Sequence, residues 1–436
     1  MLLKSIFKKN PVAVFGLARS GLSAVRFLRR SGAEITAWDD NEKARDAAKD
    51  LGATVTPLEE KNLKDCAFLL LSPGVPMDHP VVKAAQAVDV EVICDIELFH
   101  RLNHSRKTVG VTGTNGKSTT TALIHHILKS SGRESVMGGN IGVPVFDLEM
   151  PGEQGVFVFE LSSYQLDLCP TFRPDISVLL NITPDHLDRH GTMKNYAASK
   201  ERIFEGSGVA VIGVDDALSR AMFERVKAKG EREAVAISSD FPPVAGGRLM
   251  EGSVLKGEHN LQNAMAAYAV CRKLGLEETE IFKGIKSFPG LPHRQFLVRT
   301  INNVTYINDS KATNAEAAAK ALGAYENIYW IAGGRPKQGG LQGLEPLMRR
   351  VKEAFLIGEA MEDFAVWMQK NNIPHHECKT LEIAVQQAHN KAQQSGLSAA
   401  VLLSPACASW DQFSSYEERG DRFAEMVNVI EESSGV

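Results

Sequence analysis

The chain has 436 residues, with 49 Lys and Arg against 53 Asp and Glu and a formal charge of −4. That balance offers no basic footprint for nucleic acid, and 44% hydrophobic with 23% charged residues is ordinary globular usage, unlike a disordered chain. At about 150 residues per domain the length suits two to four domains, each able to bury its own core.

The first segment reads as a βαβ unit. An apolar run at 11–15 (PVAVF) leads into a turn at 16–21 (GLARSG), an amphipathic stretch through Arg30 and a second run at 34–38 ending in Asp39 and Asp40. The turn approximates GxGxxG, with Ala18 in the middle glycine's place, and Asp39 stands near the ribose-binding acid position of a dinucleotide fold. A side chain at position 18 limits backbone approach to a pyrophosphate. A nucleotide-bearing group is therefore expected here ahead of a redox cofactor, and no hydride-transfer site follows downstream. The run at 68–71 (FLLL) enters a loop at 72–76 (SPGVP), again at a strand's carboxyl end.

A second segment opens near Lys107, with a strand at 108–111 and the loop GVTGTNGKS at 110–118. A glycine-rich turn between strand and helix lets backbone N–H groups reach phosphate oxygens, and the helix N-terminus adds a favourable dipole. Lys117 can neutralise β/γ-phosphate charge and the Ser118 hydroxyl can ligate Mg²⁺. The Walker spacing is imperfect: Val111 occupies the first glycine's place, flanked by Gly110 and Gly113. The alternative is a tight structural turn, which leaves the GKST tail unexplained. Runs at 156–159 (VFVF) and 176–180 (ISVLL) are continuous and β-rich, as for strands buried on both faces. Glu160 is the first charge at the end of its strand, where ligands gather in open α/β sheets; the plain alternative is a solvated strand terminus. In NITPDHLDRH at 181–190, His186 between Asp185 and Asp188 is either a metal ligand oriented by a carboxylate or a surface histidine.

The third segment follows the Pro/Gly cluster 289–292 (PGLP), which reads as a hinge. LPHR at 291–294 and NDSKATN at 308–314 crowd polar groups around short strands. Strands at 329–332, 353–357 and 399–403 run into Gly333, Gly334 and Lys337 and into SPACASWDQF at 404–413. Each of these loops is either functional or ordinary on this reading. Cys407 invites a nucleophile role, but no His partner is assured, and a small buried thiol fits better. The expected architecture is α/β throughout: a Rossmann-like domain over 1–96, a central P-loop ATPase domain with a parallel sheet over 97–292, and a Rossmann-like domain over 293–436.

No apolar run approaches the ~20 residues of a membrane span, and the start MLLKSIFKKNP lacks an apolar leader core. The six cysteines are dispersed without a CxxC pair, the pattern of reduced thiols in a cytoplasmic protein and not of disulfides or zinc.

Taken together, GNIG at 139–142, ELSS at 160–163, DHLD at 185–188, LPHR, NDSKATN and SPACAS resemble the Mur ligase family, the ATP-dependent amide-bond ligases of peptidoglycan synthesis, over nearly the whole chain. Within it they resemble the D-glutamate-adding branch. The resemblance implies three domains: a UDP-substrate domain, an ATPase domain and a mobile domain for the incoming amino acid. It implies that ATP phosphorylates the carboxylate of UDP-N-acetylmuramoyl-L-alanine and that the amine of D-glutamate attacks the acyl phosphate. By the same resemblance, Gly113, Thr114, Asn115, Gly116, Lys117, Ser118, Thr119, Asn260, Asn263, Arg294 and Asp309 hold ATP. Ser118, Glu160, His186 and a carbamylated Lys200 hold two Mg²⁺ ions, and Lys117, His186 and Lys200 are the catalytic set. Arg19, Ser20, Ser72, Asn140 and His186 meet the UDP substrate; Thr313, Lys337, Ser409 and Tyr416 meet D-glutamate. Asp40 and Asn41 depart from the Thr-Arg pair of one well-known branch at the uracil end. The working form is expected to be a cytoplasmic monomer.

Two other functions share parts of this pattern. Folylpolyglutamate synthase shares the ATPase architecture and a GTNGKGS-like loop. Here Lys117 is followed directly by Ser118 and Thr119, and that synthase lacks the N-terminal Rossmann-like domain. A nucleotide-gated binding module would leave Lys200 and the loops after 292 without a task.

Overall fold

The computed structural model describes residues 10–103, 105–239, 249–255, 257–337 and 339–430. The leader reading made on residues 1–9 lies outside them. Three sheets carry the fold. The first contains β1 (Val12–Phe15), β2 (Ile35–Trp38), β3 (Thr54–Val55), β4 (Leu69–Leu71) and β5 (Val92–Ile93), in the order β3-β2-β1-β4-β5. The second contains β6 (Lys107–Thr112), β7 (Ser135–Gly139), β8 (Val156–Glu160), β9 (Ile176–Leu179), β10 (Gly208–Gly213) and β11 (Arg232–Ile237), ordered β11-β10-β9-β6-β8-β7. The pairings in both are parallel.

The third sheet contains β12 (Phe296–Ile301), β13 (Val304–Asn308), β14 (Ile328–Gly333), β15 (Val351–Ile357), β16 (His375–Lys379) and β17 (Ala399–Leu403), ordered β12-β13-β17-β14-β15-β16. It is parallel apart from the antiparallel hairpin β12–β13. That hairpin turns at Asn302, whose φ of 52° is the left-handed conformation asparagine tolerates.

Why the strands read as unbroken apolar runs is visible in the packing. Val12 and Val14 of β1 enter one hydrophobic core, and Ala13 and Phe15 enter another on the opposite face. In β14, Ile328, Trp330 and Ala332 face one core while Tyr329 and Ile331 face the other. Helices cover both faces of each sheet, so alternation disappears from the sequence.

By contact the chain divides into two compact units, the first running to Ser253 and resuming over Glu258–Phe288, the second holding Val254–Gly257 and everything from Pro289 onward. The first two sheets thus belong to one unit. The helix Asp95–Leu102, which follows β5, joins them: Leu98 packs in the core of the first sheet, and Phe99 meets Phe157 and Phe159 of β8 edge-on at 5.0 and 5.6 Å. Phe27 stacks on Phe146 at 4.4 Å and Arg26 pairs with Asp147 at 2.7 Å across the same joint. Among the described residues no helix is long and apolar enough to cross a membrane.

Candidate active site

In the first unit the glycine-rich loop sits between β6 and the helix Lys117–Ser130. Gly116 caps that helix at φ 85°, and a Cβ there would stand 2.1 Å from Asn263 Oδ1, so any other residue is strained and displaces Asn263. The loop is held from the strand beside it: Thr114 N donates to Asn181 O at 2.9 Å, Asn115 N to Asn181 Oδ1 at 2.9 Å and Thr183 N to Thr114 Oγ1 at 3.0 Å. Asn181 is held by Gln262, and Gln262 by Asp215, at 3.0 and 2.9 Å. Lys117 Nζ donates to Gly113 O and Thr114 O at 2.9 Å, which keeps the ammonium on the loop. Ser118 is buried behind it and Thr119 half-buried. Asn263, packed under Gly116, accepts from Thr120 Oγ1 at 3.2 Å and donates to Asn260 at 3.2 Å.

Lys200 reaches this loop from the helix Met193–Glu201. Its Nζ donates to Gly113 O at 2.9 Å and Thr112 Oγ1 at 3.4 Å, and lies 4.6 Å from the Tyr196 ring. Burial pushes this amine well below the ordinary lysine range, reinforced by Lys117 and opposed by Asp185, Asp167 and Glu160. With no carboxylate bonded to it, burial shifts this lysine toward its neutral form. Glu160, at the end of β8, is also buried: Oε1 accepts from Asn140 Nδ2 at 2.8 Å, while Oε2 has no partner.

His186 stands exposed at φ 52°, with Nε2 3.4 Å from Asp185 Oδ2 and its ring 5.1 Å from Tyr164 and 6.3 Å from Tyr196. Tyr196 therefore ties its own helix to the glycine-rich loop and to the segment 186–190, since its hydroxyl also meets Thr114 Oγ1 at 3.2 Å and its ring lies 5.2 Å from His190. His190 is buried, bonded to Ser163 at 2.9 Å and Ser199 at 3.3 Å. The sequence reading missed Tyr196 and His190. The available signal was spacing, since Tyr196 is one helical turn before Lys200 and on its face.

The resemblance implied Mg²⁺, and the residues fit it. Among the described residues no three His, Cys, Asp or Glu side chains are placed to hold a metal ion. The unpartnered Glu160 Oε2 and the Ser118 hydroxyl are hard oxygen donors of the kind Mg²⁺ takes in small number, the rest coming from phosphates and water.

The turn after β1 lies at the carboxyl edge of the first sheet. Gly16 has φ 88° and a Cβ there would meet Ser72 Cβ at 2.4 Å; at Gly21 it would fall 1.9 Å from Gly16 O. Asp39 spends both oxygens on the backbone, accepting from Leu17 N at 2.5 Å and Asn41 N at 2.8 Å, and so shapes the turn. Arg19 donates to Gly142 O at 3.1 Å, bringing the turn to the loop that carries Asn140. Ser20 and Gln165 hydrogen-bond Asp95, whose carboxyl burial raises to about 6.

The second unit gathers the remaining candidates at the carboxyl edge of the third sheet. Lys337 Nζ donates to Thr313 Oγ1 at 3.4 Å, and Lys311 Nζ to the Tyr416 hydroxyl at 3.2 Å. Ser409 is buried after β17. Asp309 accepts from Ser404 Oγ at 2.8 Å and Gln295 N at 3.1 Å, and burial lifts its carboxyl to about 7 with Arg294 opposing. Asn260 and Asn263 belong to the first unit, Arg294 and Asp309 to the second. All six cysteines are buried and free, and burial pushes the Cys407 thiol up to about 12, which makes it a poor nucleophile.

Residues 111–271 match the Mur ligase middle domain and residues 10–94 the Mur ligase MurD-like N-terminal domain. The chain is 45% identical over 460 aligned residues to the UDP-N-acetylmuramoylalanine–D-glutamate ligase of Agrobacterium fabrum, covering 99% of this chain and 97% of that one. The enzyme of the same name from Rhizobium meliloti is 45% identical, at 99% of both chains. Among solved structures, the UDP-N-acetylmuramate-alanine ligase of Thermotoga maritima superposes with a TM-score of 0.59 at 17% identity, over 96% of this chain and 99% of that one. That likeness concerns the fold. The match along both chains at this identity leaves one conclusion: the chain belongs to the Mur ligase family.

Proposed function

We propose that this chain joins D-glutamate to UDP-N-acetylmuramoyl-L-alanine using ATP, through an acyl phosphate, in peptidoglycan precursor synthesis. The full-length relatives that carry this activity in their names support the substrates. The observation that carries the chemistry is the meeting of the neutral-leaning Lys200 amine with the phosphate-binding loop, near the unpartnered Glu160 Oε2.

A carboxylate is a poor electrophile until one oxygen becomes a good leaving group. In this reading the loop Gly113–Thr119 and Asn263, with Asn260, Arg294 and Asp309, hold ATP so that the substrate carboxylate lies in line with the γ-phosphorus. Lys117 offsets charge on the transferring group. The amine of D-glutamate then attacks the acyl carbon and phosphate leaves. Lys200, as a neutral amine, can add to CO₂ and release a proton, giving a carbamate whose anionic oxygens replace a repelling ammonium. Ser118, Glu160, His186 and the carbamylated Lys200 would hold two Mg²⁺ ions, which when bound neutralise and orient phosphate oxygens.

Asn140 and His186 serve the muramoyl-alanine end, and Arg19, Ser20 and Ser72 the uridine diphosphate. Thr313, Lys337, Ser409 and Tyr416 serve D-glutamate. In this reading the chain works as a cytoplasmic monomer of three domains, 1–96, 97–292 and 293–436. The test is an amino-acid panel with UDP-N-acetylmuramoyl-L-alanine and Mg-ATP, reading phosphate release and product mass. D-glutamate alone should give both; equal use of L-glutamate, or turnover without the UDP substrate, overturns the reading.

A further inference from the structure

Among the described residues Arg419 is the most enclosed cation of the second unit, only 1% exposed, on the first turns of the helix Tyr416–Asn428. Among the described residues no carboxylate forms an ion pair with it. Its guanidinium instead donates four hydrogen bonds to loop oxygens: Nε to Ser310 Oγ at 3.0 Å, Nη2 to Ser310 O at 2.9 Å and Cys407 O at 3.1 Å, and Nη1 to Ala408 O at 3.2 Å. Burial lowers it only to about 10, so it stays charged at neutral pH. Asp411 acts on it through space without a hydrogen bond, so its direct partners are dipoles; such a buried cation is costly to keep, and its field is weakly screened.

The two loops it bonds carry amino-acid candidates, and each leads on to another. Ser310 precedes Thr313 in one loop, and its hydroxyl also donates to Tyr416 O at 2.8 Å. Ala408 precedes Ser409 and exchanges backbone hydrogen bonds with Arg335 at 2.9 and 3.1 Å, in the turn that leads to Lys337. Gly334 sits so tightly in this joint that a Cβ would lie 2.3 Å from Ala408 O and 3.1 Å from Arg419 Nη1.

We propose that Arg419 is a positioning residue for the amino-acid substrate: it clamps the loops bearing Thr313 and Ser409, and through them the Lys337 turn and Tyr416, and its buried charge favours a dicarboxylate there. The inference rests on the substrate reading above and adds to it a residue outside the contact set. A structural bolt alone would use any shape-matched group, whereas a charged one makes the site selective for anions.

The test uses the full chain, varying the amino acid with ATP and UDP substrate saturating. Arg419→Lys keeps the charge and loses the fork; Arg419→Met loses both; Ser310→Ala loosens the same joint and leaves the guanidinium in place. D-glutamate KM is expected to rise about tenfold in Arg419→Lys and more in Arg419→Met, with the KM of ATP and of the UDP substrate within about twofold. The inhibition constant of a five-carbon dicarboxylate lacking the amine should weaken in the same order. Equal effects of Lys and Met overturn the charge, and parallel shifts in all three KM values, or none in D-glutamate, overturn the positioning role. If Arg419→Met fails to fold by circular dichroism, Ser310→Ala decides: its D-glutamate KM must rise alone. A wild-type panel that selects another amino acid sinks the substrate reading, and the KM split is then measured on that amino acid.

Discussion

Replacing Lys200 by methionine separates what the buried amine costs the fold from what it does in the reaction. Methionine keeps the length and apolar stem. Neither oxygen that receives the amine is orphaned, because Gly113 O also accepts from Lys117 Nζ and Thr112 Oγ1 donates to Leu161 O at 2.8 Å. The loss is therefore two neutral-type hydrogen bonds, about 0.5–1.5 kcal/mol each, against relief of a desolvated amine. The pH dependence is sharper. The folded-state pKa lies below the unfolded value, so between the two the unfolded chain holds nearly one more proton and wild-type stability rises with pH. Below the folded pKa the full penalty of protonating a buried amine is present. Relative to Lys200→Met, wild-type stability should climb by about 1.4 kcal/mol per pH unit within that window and level off near pH ~10.4. Urea unfolding of the first unit in carbonate-free buffer, at several pH values from neutral upward, reads this difference. Phosphate release should meanwhile fall about a hundredfold or more at every pH. Parallel stability curves for the two proteins would refute the neutral amine, and the argument for carbamylation with it.

Three further outcomes follow from the same geometry. Glu160→Gln preserves the shape and the acceptor for Asn140 but removes the anion, so the Mg²⁺ needed for half-maximal phosphate release should rise about tenfold with the melting temperature held; an unchanged Mg²⁺ titration discards Glu160 as a ligand. Gly116→Ala meets about 1–2 kcal/mol of left-handed strain and forces Asn263 away from Thr120, so ATP KM should rise while the UDP-substrate KM stays; an unchanged ATP KM contradicts the loop assignment. Iodoacetamide at neutral pH should leave Cys407 unlabelled in the native chain and label it in urea, by peptide mass; native labelling would show that the thiol is neither buried nor raised.

Much of the fold was legible because the strands are buried on both faces. Runs read at 11–15, 108–111, 156–159, 329–332 and 399–403 coincide with β1, β6, β8, β14 and β17 to within a residue or two. Short edge strands such as β3 and β5 escaped, since two residues carry no period. So did the hairpin β12–β13, whose Asn302-Asn303 turn was a signal left unused. At the site, the loop from Gly113 to Ser118 was readable as a contiguous string. The surroundings of Asp39 were not: as a sequence signal it stood near a ribose-binding position, and in the fold one oxygen holds the turn after β1 and the other the backbone of Asn41 after β2.

What the sequence by itself determined is whatever depends on neighbours along the chain: the strand–glycine–helix order of the phosphate loop, the apolar runs of the sheets and the segment motifs of the family. The tertiary structure decided what depends on surroundings. Lys200 and Lys117 are both lysines near one loop, yet only Lys200 is enclosed, and burial, not residue type, pushes its amine toward the neutral form. Arg419 looks like a surface arginine among the charges of its helix, until the chain returns a serine 109 positions away to receive it. Hydrogen-bond partners and desolvation are properties of the folded surroundings, and no local pattern of residues encodes them.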